Sequence, residues 1–202
     1  MKIYFARHGQ TDWNLLGKVQ GATDIPLNET GIAQAHQLCD RIREEQIDIE
    51  KIYTSYQKRA VQTAQIVDEQ FHVGYEIVKG LEEMSLGDFE GHTWDEIYAL
   101  YPEGLNYWNE DRRYHTSPNG ESYQMVLERL FAALDHILAQ HDTSSDKSLL
   151  IISHGAVIAT MFAVQQDPPF SDYRIAVENA APVEFSLEKL EEIKKVMTQT
   201  TD

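Results

Sequence analysis

A single cysteine, Cys39, stands among 202 residues. One thiol cannot form an intramolecular disulfide or a zinc site of several thiolates, and its isolation fits a reducing compartment. No apolar run approaches the ~20 residues that a membrane-spanning helix needs. The opening Met1-Lys2-Ile3-Tyr4-Phe5 turns polar within a few residues, too early for a secretory signal. A cytoplasmic protein with no membrane partner is therefore expected. Positive charge is scarce: 17 Lys+Arg against 33 Asp+Glu give a formal charge of −16. A general nucleic-acid binder needs a broad basic surface to meet phosphates, so no nucleic-acid partner is expected. Internal repeats and low-complexity tracts are missing too. What is present suffices for a full core, with 42% hydrophobic and 10% aromatic residues, and one domain over residues 1–202 is expected.

Helical periodicities alternate with short β-branched or aromatic runs, the pattern of a layered α/β domain. Ile3 to Ala6 reads as a first strand, and Ile32, Ala35, Leu38 and Ile42 have helical spacing. Ile52-Tyr53-Thr54 reads as a second strand, after which Ser55 is placed to cap a helix carrying Ala60, Ala64 and Val67. Tyr75 to Val78 is a candidate strand. The stretch from about residue 80 to 120 is rich in Gly, Pro, Trp and Tyr, holds a short helix near Thr93 to Leu100, and reads as an insertion over the sheet. Leu127, Leu130, Leu134 and Ile137 mark a long amphipathic helix. Leu149-Leu150-Ile151-Ile152 is an uninterrupted apolar run, as in a central strand buried on both faces, and a helix should follow Gly155. Pro182 to Leu187 alternates like a last strand, and Leu187 to Met197 reads as a charged helix or a hairpin.

Several chemistries fail on spacing. The chain has no G-x-x-x-x-G-K-[ST], no G-x-G-x-x-G and no H-E-x-x-H. Ile151 stands where a nucleophile elbow before Ser153 needs glycine. Glu45 stands six positions after Cys39, where the phosphate loop of a thiolate phosphatase needs arginine. His72, His92, His115, His136 and His141 have no metal-ligand spacing; the last two, read as sharing a helix, should diverge. No metal-ligand set is legible in these spacings.

What remains is Arg7-His8-Gly9-Gln10-Thr11 after the first strand and Ser153-His154-Gly155 after the buried one. In open α/β sheets ligands bind outside the strand carboxyl ends, where both histidines sit. Alone, either histidine is more often a surface or core residue than a functional one; the pair at two strand ends weakens that reading and favours a shared site. Gly155 would also turn the amides of its following helix toward that crevice. In Ser55-Tyr56-Gln57-Lys58-Arg59-Ala60 two cations occupy the first turn of a helix, against its macrodipole, at a cost of about 0.3–1 kcal/mol. Such a violation belongs at a functional site or is an arginine stem lying on the sheet. Arg7, Arg59 and a protonatable His154 would together match a phosphate group.

These blocks, R-H-G-Q-T, S-x-x-x-R-A-x-Q-T-A, Glu83-x-x-x-Gly87-x-x-Glu90-Gly91 and the late S-H-G, resemble the histidine phosphatase superfamily, the phosphoglycerate mutase-like proteins. Asn14, Gln20-Gly21 and Asp24-x-Pro26-Leu27-x-x-x-Gly31 fall where that family has its phosphate-pocket loop and first helix. The match runs in order along nearly the whole chain. It implies a three-layer α/β/α sandwich around a mainly parallel sheet, with a lid inserted at about 80–120, and it implies no cofactor.

Carried over residue by residue, the resemblance implies that His8 takes the phosphoryl group on a ring nitrogen. That nitrogen must be unprotonated, with the other N–H held by a backbone carbonyl in the Arg7 to Gly9 loop. Arg7, Arg59 and His154 are implied to bind the phosphoryl oxygens. Glu82 and Glu83 both compete as proton carrier; the spacing to Gly87 in the family pattern favours Glu83, and carrying a proton there would need partial burial near Leu81, Met84 and Leu86 to favour the protonated form. Glu90 reads as a pin for the lid. Asn14 and Gln20 are amide donors to phosphate or serve as caps and turns, and Gly21 and Gly155 complete the phosphate-binding set. Gln10, where many relatives carry Glu, leaves the nucleophile loop intact. Trp94, Tyr98, Tyr101, Tyr107 and Trp108 either line the cleft or pack the lid.

The expected activity is metal-independent hydrolysis of a small phosphorylated metabolite through phosphohistidine. One alternative is phosphoglycerate mutase-type transfer, for which Arg112 and Arg113 would hold a substrate carboxylate. Against it, the stretch between Glu83 and Ser153 is short for closing the pocket against water. Another is a pseudoenzyme that binds a phosphorylated ligand without turnover. Oligomeric state is not readable.

Overall fold

The computed structural model describes residues 1–173 and 175–198. In chain order the elements are β1 (Lys2–Arg7), α1 (Asp12–Leu15), α2 (Glu29–Glu44), β2 (Ile49–Thr54), α3 (Lys58–Phe71), β3 (Tyr75–Ile77), α4 (Trp94–Leu100), α5 (Pro102–Glu110), α6 (Tyr123–Leu138), β4 (Ser148–Ser153), α7 (Gly155–Val164), β5 (Pro182–Ser186) and α8 (Leu187–Thr198). The strands form one sheet in the order β3-β2-β4-β1-β5. All neighbours run parallel except β5, which lies antiparallel to β1.

Alternate side chains of each central strand serve different cores, the consequence of a two-residue repeat in a sheet covered on both sides. Tyr4, Ala6, Ile52, Leu150 and Ile152 meet Leu38, Ile42, Ala60 and Val67 of α2 and α3. Ile3, Phe5, Leu149 and Ile151 meet α6, α7 and α8 on the other face. The result is the expected α/β/α sandwich. β4 is buried at every position, as its apolar run requires. Among the described residues no helix is long and apolar enough to cross a membrane.

Local reading departs from the structure at identifiable points. Ile32 is 43% exposed: the buried stripe of α2 is Gly31, Ala35, Leu38, Cys39 and Ile42, and position 32 lies one residue, about 100°, off that stripe. Ser55 does not cap α3. Gln57 holds that position without a side-chain bond to the helix, and Asp24 supplies the missing acceptor by taking the Lys58 N–H at 2.7 Å. The same carboxylate lies 3.4 Å from Lys58 Nζ, so the acid that a helix start favours arrives from a distant loop. His141 lies beyond the end of α6 rather than on it, bonded to Tyr53 and Glu50. The final segment is a helix and not a hairpin, with Leu190 and Ile193 buried beneath its charges. The stretch from 80 to 120 contains α5 besides the expected α4, and Phe89, Ile97, Leu105 and Trp108 anchor it in the same core as α6.

Candidate active site

Strand register builds the centre. Arg7 is paired with Ser153 across β1 and β4, so the next residues, His8 and His154, leave adjacent parallel strands at the same edge. Both are buried, with ring centroids 5.2 Å apart. His8 Nδ1 lies 2.7 Å from the Gly9 carbonyl. A carbonyl only accepts, so Nδ1 carries the proton and Nε2 keeps a free lone pair. The holding carbonyl lies inside the Arg7 to Gly9 loop, where it was sought.

That loop is tied from three directions. The His8 N–H donates to the Ser153 carbonyl at 3.0 Å, Asn179 Nδ2 donates to the His8 carbonyl at 2.6 Å, and the Gly9 N–H donates to Thr63 Oγ1 at 3.2 Å. A Cβ on Gly9 would run into the Gly31 carbonyl, so the start of α2 presses directly on the loop.

Burial, then the charges of Arg59 and Arg7, hold the His8 ring well below the ordinary imidazole range. It is neutral at pH 7. The same causes, burial first and Arg59 next, depress His154. Burial and the neighbouring arginines thus favour the neutral His154 ring, which has Ser55 Oγ 2.7 Å from its Nε2. Positive charge comes from the two arginines, which burial lowers while Glu83 opposes that shift; guanidinium stays charged nonetheless.

Arg59 is fully buried. Its Nη1 donates to the Thr23 carbonyl at 2.7 Å and its Nη2 to the Gly21 carbonyl at 2.9 Å. Arg7 Nη1 donates to the Val177 carbonyl at 2.8 Å. Nε of Arg7, Nε of Arg59 and Nδ1 of His154 are buried without a hydrogen-bond partner. Unpaired buried polar atoms are costly, and an anion accepting from the two arginine Nε–H groups would remove their cost.

Glu83 faces this nest and its neighbour does not. Glu83 Oε2 accepts the Ala156 N–H at 3.3 Å, at the start of α7, and Oε1 accepts the Met84 N–H at 2.9 Å. The Glu82 carboxylate instead turns back to the Gly80 N–H at 2.6 Å and lines a separate cavity of about 430 Å³ between β3 and α6. The Glu83 backbone is clamped as well: its N–H donates to Gln57 Oε1 at 2.8 Å, and its carbonyl accepts from Arg129 Nη2 at 3.2 Å. Glu90 is the expected pin. Its carboxylate accepts from Ala22 N, Thr23 N, Thr23 Oγ1 and Leu86 N, stapling the loop that carries Gly21 to the loop after Glu83. Gly21 has φ +50°, and a Cβ there would collide with Glu90.

The cleft has two lobes of about 330 and 300 Å³, both bordered by Arg7, Glu83, Leu86, Trp94 and Ala156. Asn14, Gln20 and Gly21 line the smaller. Asn14 also closes a capping box with Thr11, and Gln20 Oε1 accepts from Thr11 Oγ1 at 2.8 Å, so both amides hold a local post while bordering the cleft. Gly155 opens α7, and Arg7 packs where its side chain would be. The larger lobe takes Trp94, Trp108 and Arg112. Tyr101 packs on Phe89, while Tyr98 and Tyr107 are exposed.

The two consecutive arginines part company. Arg112 lies over the Trp108 ring at 4.0 Å, with Asn109 Oδ1 2.6 Å from its Nη2. Arg113 is turned away from the cleft, with Nη2 on the Val196 and Met197 carbonyls. Its expected substrate contact is therefore withdrawn: succeeding residues after α5 point in different directions.

Sequence reasoning gave no site role to Ser55, Gln57, Thr63 or Asn179. Ser55 was read as a helix cap, Ser55 and Thr63 were legible only as members of the S-x-x-x-R-A-x-Q-T-A block, and Gln57 only as a polar residue before the helix. Nothing local singles out Asn179.

The model of the histidine phosphatase superfamily (branch 1) matches residues 3–197. The uncharacterized phosphatase PhoE of Bacillus subtilis (strain 168) is 33% identical over 189 residues, covering 93% of this chain and 90% of that protein. The 6-phosphofructo-2-kinase/fructose-2,6-bisphosphatase of Caenorhabditis elegans is 34% identical over 170 residues. That match covers 84% of this chain, which spans 35% of the relative's length. Among solved structures, mycobacterial glucosyl-3-phosphoglycerate phosphatase in complex with VO3 superposes with a TM-score of 0.79 at 28% identity, covering 92% of each chain. Bacillus stearothermophilus YhfR gives 0.79 at 30% identity, covering 91% of this chain and 89% of that one.

Proposed function

The chain belongs to the histidine phosphatase superfamily, and from that membership we propose that it hydrolyses phosphomonoesters of small metabolites through a phosphohistidine on His8. The carrying observation is the juxtaposition of a buried neutral His8, with Nε2 free, and buried nitrogens that lack partners: the Nε–H donors of Arg7 and Arg59 and Nδ1 of His154. In the first step Nε2 attacks phosphorus, the P–O ester bond breaks, and the Glu83 carboxyl gives its proton to the departing alkoxide. In the second, Glu83 takes a proton from water, the new O–P bond forms, and the P–N bond breaks to return neutral His8. Splitting one displacement into two is the gain of covalent catalysis. Charge developing on the phosphoryl oxygens is met by donors already in place. No step uses a metal.

Phosphatase names among the relatives favour hydrolysis over mutase transfer. The mutase reading keeps one observation, Arg112 on the cleft wall. Release of phosphate from an aryl phosphate in EDTA, lost in His8→Ala, is the expected result. Undiminished release by His8→Ala would remove the proposal. On 3-phosphoglycerate, isomer formation exceeding phosphate release would favour the mutase.

A further inference from the structure

Gln57 has no part in the reaction just described, yet its side chain is completely buried and uses both ends of its amide. Oε1 accepts the Glu83 N–H at 2.8 Å and Nε2 donates to the Gly21 carbonyl at 3.0 Å. That carbonyl also receives Arg59 Nη2 at 2.9 Å. One amide thus spans the loop that Arg59 grips and the residue that faces the nest from the other side. It sits two residues before Arg59, at the start of α3. Other bonds hold this segment elsewhere: Glu90 reaches Leu86 N, Ser153 Oγ the Leu81 carbonyl, Ala156 N the Glu83 carboxylate, and Arg129 the Glu83 carbonyl from α6, whereas the Gln57 amide joins the Glu83 main chain to the loop at Gly21.

We infer that Gln57 is a positioning residue: it sets the distance between the Glu83 carboxyl and the phosphoryl group held by Arg7 and Arg59. The inference rests on Glu83 being the proton carrier. A carboxyl displaced by about 1 Å still lies in the cleft but no longer meets the ester oxygen, and such misplacement costs on the order of 10²-fold. The loss must depend on the leaving group, because a nitrophenolate departs without a proton while an alkoxide needs one.

The test compares 4-nitrophenyl phosphate with glycerol phosphate in Gln57→Leu, a near-isosteric change that removes both hydrogen bonds. The expected result, read on kcat/KM because it reports phosphoryl transfer to His8 and not the later water step common to both esters, is a value within about threefold on the aryl ester and about 10- to 100-fold lower on the alkyl ester. In a Glu83→Gln background, Gln57→Leu should add no further alkyl-ester loss, since its route of action is gone. Equal loss on both esters, or losses that multiply in the double variant, would overturn the inference. If Gln57→Leu does not fold, Gln57→Asn, one methylene too short to span both partners, is read by the same criteria. Glu83→Gln alone tests the premise: if it lowers kcat/KM equally for both esters, the proton-carrier reading fails first and takes this inference with it.

Discussion

Arg7, His8 and His154 stand on the ends of paired parallel strands, and the Arg7 to Ser153 register leaves their relative placement little freedom. Glu83, Trp94, Trp108 and Arg112 hang instead on short helices and turns held largely by side chains: Gln57, Glu90, Glu121 and Arg129. The first region has its geometry from the backbone ladder of the sheet. The second borrows it, one hydrogen bond at a time, from residues far away in the chain. A site assembled from both can therefore keep one arrangement for gripping phosphate while its other wall varies. Damage to the nest should act on every substrate, and damage to the wall only on some.

The strongest test of that contrast is Arg59→Ala. It removes a buried charge, two bonds to the loop at Gly21 and Thr23, and one unpartnered donor. Turnover should fall on the order of 10²–10³-fold on aryl and alkyl esters alike. Arg59→Lys should recover little, because a single ammonium cannot fork to two carbonyls and still reach a third acceptor. Losses that differ strongly between the two esters in steady-state assays would break the contrast.

A second test uses acid. His8 and His154 are held below the ordinary imidazole pKa of 6.5 by burial and by Arg59. Unfolded, they would take up protons near that value; folded, they resist. Between the two values the unfolded chain binds more protons, so stability rises with pH, is complete above about 6.5, and is lost as the pH falls below it. Thermal unfolding followed from pH 7.5 to 5 should show the Tm dropping in the acid half, each kcal/mol lost lowering it by about 2–4 °C. The drop should be smaller in His8→Asn. An unchanged drop would place the acid sensitivity outside the nest.

The same contrast explains what was legible. Strand ends carry compact signals: an apolar run, a terminal His, a following Gly. The four blocks around Arg7, Arg59, Glu83 and His154 converge as their order along the chain implies. Glu83 was separable from Glu82 only by spacing to Gly87, because a side chain turning back on Gly80 leaves no mark in composition. Asp24 completing the start of α3, Ser55 holding His154 instead of capping, and Arg113 leaving the cleft all depend on contacts between residues distant in sequence. Periodicity cannot see these. It does see Leu38 and Ile42, and it misses Ile32 by one position because a helix stripe is narrow.

The smallest expected effect separates the two consecutive arginines and concerns only the variable wall. Arg112 has its guanidinium over Trp108 and donates Nε–H and Nη2–H to Asn109 Oδ1, with no carboxylate partner among the described ion pairs. A cation so held favours leaving groups that carry a second negative charge. Arg112→Ala should raise KM about three- to tenfold for 3-phosphoglycerate, the worth of one partly exposed charge-assisted contact, and leave 4-nitrophenyl phosphate within about twofold. Arg113→Ala should do the reverse. It frees the last carbonyls of α8 at Val196 and Met197 and leaves part of a buried site unfilled, so Tm falls while KM for both esters holds. If both variants change KM together and neither changes Tm, the two side chains act as one anion site. The opposed directions seen after α5 would then not describe the enzyme at work.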